Sequence, residues 1–444
     1  MRPTASRATS TSAQTQQSVR KIPATLHGLS REKVSHGALT VIKGLQEAGY
    51  SAEVVGGCVR DLLLGYQPKD FDVVTDAEPE KIRVVFPRSR LIGRRFRLAH
   101  VRVGREVVEV STYRGSSDRK SESFEAHTEH GRILIDNVFG TRDDDARRRD
   151  FSINALYYDP IEDVLIDYVG GFVDVESRLL RIIGNPERRF EEDPVRMLRA
   201  VRFAARLDLE IAEGICPLLQ QMGYLLRYVP PARLFDETLK LFQHGYGTRA
   251  FEMLREFRLF AELFPDSSKV YSQLDLDSAY GLVLTGLRNT DKRFSDGKPI
   301  IAAFLYAVFL WRSVMLELDR NRSYGIPLAQ SYHQGSSSVL GRQHKRTTIP
   351  RRVATVTADI WNLQRWLEER RPRLVLKILA HQRFRAAYDF LLMRIRAGEV
   401  ETEIGTWWTR IQEVSGSQKK KMISDLPSQS RKSSGSRRRR RKRI

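Results

Sequence analysis

Apolar residues recur along this chain in two rhythms, one short and one long. In the first third, Glu53, Val54 and Val55 run into the glycine pair Gly56 and Gly57, and Val108, Glu109 and Val110 alternate. Both segments predict strands, the second with its valines on one face and Glu109 on the other. Residues 59–64 then predict the start of a helix. Further on the period lengthens to about 3.6. Leu198, Val201 and Ala205 form one helical stripe, and Phe251, Leu254, Phe257 and Ala261 another. Val353, Val356, Ile360, Leu363 and Leu367 make a third, and Phe384, Tyr388, Leu391 and Ile395 a fourth. Residues 300–311 are an uncharged apolar run of 12. It falls short of the ~18 that would span a bilayer, so it predicts a buried helix and no transmembrane segment. The polar stretches 115–131 and 330–348 predict loops. A strand-rich front followed by a helical remainder predicts an α+β protein.

The candidate chemistry sits at the junctions of the front segments. Residues 56–76 read GGCVRDLLLGYQPKDFDVVTD. Glycines without a β-carbon let backbone N–H groups approach an anion, and the helix that follows favours phosphate at its positive end. Asp70 and Asp72 project from one side of an extended segment, so two carboxylates converge on one point. Their repulsion needs a shared proton or a divalent cation, and Mg²⁺ suits such a pair. A solvated turn is the plainer reading of either feature alone; strand, glycine pair, helix and strand with paired aspartates together favour phosphate chemistry. Glu109 is a third acidic candidate, with a surface ion pair to Arg102 or Arg114 as its alternative. In RRRDFSINALYYD, Asp150 and Asn154 would share a face if the segment is helical. In EEDPVRMLRAVRFAARL, Asp193 predicts the N-cap and Pro194 the first helical position, with Arg196, Arg199, Arg202 and Arg206 along a second stripe.

These blocks, with LIGRRFRLAHV, VEVSTYR, DYVGG and PPARLFDE, resemble the bacterial poly(A) polymerase and CCA-adding enzyme group, class II of the polymerase-β-like nucleotidyltransferases. The resemblance spans residues 35–265. It implies an N-terminal nucleotidyltransferase palm with a mixed sheet, followed by an all-helical neck, body and tail. It also implies template-independent transfer of AMP from ATP to an RNA 3′-OH, with Asp70, Asp72 and Glu109 holding two Mg²⁺. Gly56, Gly57, Arg60 and Arg149 would meet the triphosphate, and Asp150 and Asn154 the ribose. Asp193 and Arg196 would read the base, with Arg199 beside them. Adenine and cytosine both offer the amine-plus-acceptor edge such a pair selects. Residues 91–101 and 384–394 and the basic tail resemble the poly(A) rather than the CCA-adding members. CCA addition to tRNA is the alternative, and an RNA-binding adaptor without catalysis a remote one.

Charge completes the picture. The 444 residues carry 75 Lys and Arg against 54 Asp and Glu, a net +21, which predicts a polyanionic partner. Residues 431–444 hold nine basic side chains and no acidic one, so Arg437, Arg438, Arg439, Arg440 and Arg441 are expected to contact RNA from a disordered tail. A solubilising role or contact with an anionic membrane would be served by the same charges. The expected partition is a disordered extension (1–34), a nucleotidyltransferase head (35–170), a helical neck (171–265), a helical body (266–412) and the tail (413–444). Only Cys58 and Cys216 occur, which argues against a disulfide framework or zinc site and for the cytoplasm. The expected partners are RNA 3′ ends and ATP, with RNA chaperones or degradation-machinery proteins as the kind of protein such an activity admits.

Overall fold

β-Branched residues set the centre of the first unit. Ala52–Val55 (β2) and Asp72–Thr75 (β3) pair antiparallel, and Glu106–Thr112 (β6) runs parallel to β3. The computed structural model describes residues 19–93, 97–115, 138–271 and 276–427. Among them, Arg20–Pro23 (β1), Arg90–Ile92 (β4), Leu98–Val103 (β5), Leu156–Asp159 (β7) and Val164–Asp167 (β8) complete an eight-stranded mixed sheet. The order is β1-β8-β7-β2-β3-β6-β5-β4. Val55, Val74, Tyr157 and Ile166 from four neighbouring strands meet in one core cluster with Tyr113 and Ile183. The sheet is thus followed by helices, as the two rhythms predict.

Cα proximity divides the chain into Met1–Leu225 and Leu226–Ile444. Every secondary-structure element among the described residues of the second unit is a helix. Its apolar run lies in the helix Ala302–Ser323, where residues 305–311 are all buried, and no described helix is long and apolar enough to cross a membrane. A second cluster joins Leu363 and Leu367 to Val375, Ile378, Tyr388, Leu391 and Trp408.

Three expectations need correction. The first concerns the extension through residue 34, which enters the fold at residue 20. There β1 pairs with β8 from Arg20 opposite Asp167 to Pro23 opposite Val164, and only Ile22 of the strand is buried. Second, residues 330–348 form most of the helix Leu328–Thr347. Its buried face is Tyr332, Gly335, Ser336, Val339, Gln343 and Thr347, a helical spacing written in small and polar residues. A β-carbon at Gly335 would stand 3.0 Å from Leu318 Cδ1, so the glycine permits close approach to the neighbouring helix. Third, the tail expected from residue 413 begins with an ordered helix, Gly416–Ser424, whose Met422 and Ile423 pack against the second cluster. Arg437–Arg441 and most of the predicted 115–131 loop lie outside the described residues.

Candidate active site

The turn after β2 is built around Gly56, at φ 80° and ψ −124°, a conformation open to glycine. A β-carbon there would also meet Arg149 Nη1 at 2.9 Å. The Gly56 N–H donates to the Leu156 carbonyl at 3.1 Å, so this residue shapes the turn and has no amide to offer an anion. The helix Gly57–Leu63 starts at the next residue.

Arg60, on that helix, is only 3% exposed. Its Nε and Nη2 donate to Asp61 Oδ1 at 2.8 and 2.5 Å, and its Nη1 donates to Asn154 Oδ1. Asn154 Nδ2 in turn donates to Asp150 Oδ1 at 3.0 Å, and Asp150 Oδ2 accepts from Arg199 at 2.6 Å. One chain of hydrogen bonds therefore runs from Asp61 to Arg199. Burial alone would raise the Asp150 carboxyl, but the charge of Arg199 and the bonds from Asn154 and Arg199 hold it below the usual carboxylate range. Asp150 and Asn154 do meet, as predicted. They do so through the 3₁₀ turn Ser152–Asn154 rather than an α-helix.

Arg149 is fixed by Asp145, which accepts from its Nε and Nη2 at 3.1 and 2.9 Å, and it donates to the Asn154 carbonyl at 3.2 Å. The open cleft lined by Gly57, Arg60, Arg149, Asp150, Asn154, Arg199 and Phe203 measures about 370 Å³. Phe203 was not foreseen. Its ring lies 5.0 Å from the guanidinium carbon of Arg60, 5.2 Å from that of Arg199 and 5.0 Å from that of Arg202. The signal was present, because Phe203 stands four residues after Arg199 on the helix Val195–Leu207.

Asp70 and Asp72 are exposed on either side of buried Phe71. Asp72 lies opposite Glu109 in the parallel register of β3 and β6. The protein packed around Asp72, and next the negative charge of Glu109, raise its carboxyl; Arg149 opposes this and Asp70 adds to it. Crowded hard-oxygen donors of this kind fit a divalent cation. Glu109 here contacts His100 Nε2 at 3.3 Å, and among the described residues no three carboxylate, imidazole or thiol groups gather closely enough to enclose an ion.

Asp193 and Arg196 do not line the cavity. Asp193 precedes the helix, where Pro194 is the N-cap and Asp193 Oδ1 accepts from the Val195 N–H at 3.2 Å. Arg196 Nη1 donates to Glu192 at 2.9 Å and to the Arg189 carbonyl at 2.6 Å.

Behind the site, buried Glu53 accepts from Tyr113 Oη and from Arg142, the first residue of the helix Arg142–Arg148 that leads to Arg149. Burial, only partly offset by Arg142, raises the Glu53 carboxyl to about 7 from an ordinary 4.5. A folded-state pKa above the unfolded value means that the native state binds the extra proton. This contribution to stability is complete below about 4.5 and is lost as pH rises to about 7. Urea unfolding measured across that interval should show native stability falling with pH, and Glu53→Gln should remove that part of the slope. An unchanged slope in the variant would place the titrating group elsewhere.

Three family models cover successive parts of the chain: "Poly A polymerase head domain" (residues 52–181), "Probable RNA and SrmB-binding site of polymerase A" (208–270) and "Polymerase A arginine-rich C-terminus" (324–444). The chain is 40% identical to Poly(A) polymerase I of Salmonella typhi, over 91% of this chain and 88% of that protein. It is 41% identical to the Haemophilus influenzae enzyme of the same name, over 91% and 90%. A CCA-adding enzyme of Lactobacillus helveticus is 31% identical over 58% of this chain and 65% of its own length. Among solved structures, the Thermotoga maritima CCA-adding enzyme complexed with tRNA shares the fold at a TM-score of 0.62 and 20% identity, over 93% of this chain and 92% of that one.

A mixed sheet with facing carboxylates on parallel strands, a glycine turn and an arginine-lined cavity define a nucleotidyltransferase of the polymerase-β type. Such membership implies a nucleotide substrate and a divalent cation. The chain belongs to the poly(A) polymerase family, polynucleotide adenylyltransferases that extend RNA without a template.

Proposed function

We propose that AMP transfer runs at the junction of the cavity and the carboxylate pair, with ATP seated in the cavity and the RNA 3′-OH facing the Asp72 side. The observation that carries this reading is the pairing of β2 with β3: the end of β2 that runs into Gly57 at the cavity wall lies beside the start of β3 at Asp72. Asp70, Asp72 and Glu109 would hold Mg²⁺ as a two-ion set. Ions bound there neutralise charge on the transferring phosphate and favour deprotonation of the 3′-OH.

The protein's own groups divide the remaining work. The amide of Gly57 and those following it in the first turn of the Gly57–Leu63 helix would face the triphosphate, because the first amides of a helix lack intrahelical partners. Arg149 and Arg199 supply positive charge. Asp150 and Asn154 offer an acceptor and a donor to the ribose hydroxyls, held in place by Arg60 from beneath. The 3′-OH attacks the α-phosphorus, the bond to the bridging oxygen breaks and pyrophosphate leaves. Asp193 and Arg196 would read the base after Arg196 exchanges Glu192 for the nucleotide. RNA held by Arg437–Arg441, a head–neck–body partition and a cytoplasmic location belong to the same reading.

CCA addition is the second reading, supported by the CCA-adding enzymes that share the fold. The test is a short labelled RNA incubated with protein and Mg²⁺ plus ATP, CTP or both. Long ladders with ATP alone are expected. A stop after a few nucleotides on tRNA, with CTP required, would establish CCA addition instead.

A further inference from the structure

We infer that the helical unit contains a second adenine site, separate from the nucleotide cavity, that binds the oligoadenylate product; the inference rests on the polyadenylation reading. A cavity of about 360 Å³ opens between the helices Leu328–Thr347 and Arg351–Glu369. That volume is in the range of sites for small organic molecules. Tyr332 and His333 line it from the first helix, and Asp359, Asn362, Arg365 and Trp366 from the second.

Asp359, Asn362 and Trp366 are three and four residues apart, which stacks them along one helical face. Their hydrogen-bonding groups are uncommitted: among the described residues no hydrogen bond or ion pair engages the side chains of His333, Asp359 or Asn362, or the indole N–H of Trp366. A carboxylate, a carboxamide and an imidazole thus share one concavity without protein partners. That differs from the nucleotide cavity, where Asp150 and Asn154 are already bonded to each other and to arginines.

The chemistry of the lining selects the occupant. Half-buried Trp366 offers aromatic surface on which a base can stack, with buried Tyr332 forming the floor beside it. A carboxamide pairs in bidentate fashion with the N6 and N7 edge of adenine. A carboxylate accepts from an exocyclic amine and repels the carbonyl that uracil and guanine present there. Cytosine also carries an amine, but adenine is the base this reaction makes in series. Arg365, whose guanidinium carbon lies 5.8 Å from the Trp366 ring centroid and whose Nε lies 3.8 Å from Glu369, would exchange that loose pair for the adjoining phosphate.

The test measures binding of fluorescein-labelled oligo(A), oligo(U) and oligo(C) of equal length to the full chain, without ATP. Wild type should prefer oligo(A), and Asn362→Leu should weaken oligo(A) by roughly tenfold while leaving oligo(U) unchanged. His333→Ala, at an exposed side chain, repeats the test should Asn362→Leu fail to melt like wild type. Addition of the first AMP to a primer lacking adenylate should keep its rate in both variants, while long ladders shorten. Competition by AMP as strong as by oligo(A) would keep the adenine chemistry and assign the free nucleotide as its source. Equal binding of the three oligomers by wild type, or equal losses in the variants, would overturn the site. If ATP extension is intact in those preparations, the polyadenylation reading still stands; if wild type extends no RNA, that reading falls first.

Discussion

Asp72→Asn should lose AMP transfer by ~10³-fold or more, because several kcal/mol of charge stabilisation at the transferring phosphate disappear at 1.36 kcal/mol per tenfold. Asparagine keeps the shape and removes the charge. Asp72 is the carboxylate on which the site's electrostatics converge, with Glu109 opposite in register and Asp70 two residues before it. Its side chain makes no hydrogen bond among the described residues, so the substitution breaks no internal bond. Removing the charge also relieves the repulsion from Glu109 and Asp70, so the melting temperature should equal or exceed the wild-type value while the RNA ladder vanishes. A variant that still makes long ladders would remove Asp72 from the chemistry, and one that melts early would mean the loss is structural.

The second large effect is on stability. Arg394→Ala should destabilise the helical unit by about 2–3 kcal/mol, through lost hydrogen bonds to charged groups and lost packing on Trp311, since Glu399 keeps Arg312 and Glu368 is partly exposed. Arg394 is 3% exposed. Its guanidinium donates to Glu368 at 2.5 Å, Gln364 at 3.2 Å and Glu399 at 3.1 Å, and lies 4.6 Å from the ring centroid of Trp311. The indole of Trp311 donates to the same Glu399 at 2.9 Å. One residue thereby ties together the helices Ala302–Ser323, Arg351–Glu369 and Phe384–Arg396. All five tryptophans fall between residues 311 and 408, so indole fluorescence during urea unfolding reports on this unit alone. Arg394→Lys, which keeps the charge but loses the planar fork, should fall between the two. A midpoint unchanged in Arg394→Ala would show that the network is neutral to folding.

Legibility followed the range of the interactions. The β6 strand could be read because Val108, Glu109 and Val110 alternate, whereas β3, with Val73, Val74 and Thr75 all buried, declares itself through the aspartate pair at its start. Arg149 was expected at the site on resemblance, but its anchor Asp145 was missed, although the two stand one helical turn apart on either side of a helix end. Arg60 was expected to hold phosphate. Its burial depends on Asn154, 94 positions away, and on Phe203, further still, and local pattern carries no such information. The Leu328–Thr347 helix escaped for a different reason: apart from Tyr332 and Val339 its buried face is made of Gly, Ser, Gln and Thr, so its helical period leaves little trace in hydropathy. Asp193 and Arg196 show the opposite case. Their motif is plain in sequence, yet their side chains are engaged locally, with the Val195 amide and with Glu192 and the Arg189 carbonyl.

The strand Arg20–Pro23 changes what counts as a minimal head. The sheet's edge is now a four-residue strand carrying exposed Arg20, Lys21 and Pro23, which lacks an N–H; without it the edge would pass to β8, Val164–Asp167, whose buried Leu165, Ile166 and Asp167 carry no such guard against a neighbouring chain. A fragment trimmed to residue 35 keeps every residue of the site and gains an adhesive flank. Protein engineered for assays or crystals should therefore begin ahead of Arg20, where four residues of modest sequence act as a selvedge that keeps the sheet from fraying into its neighbours.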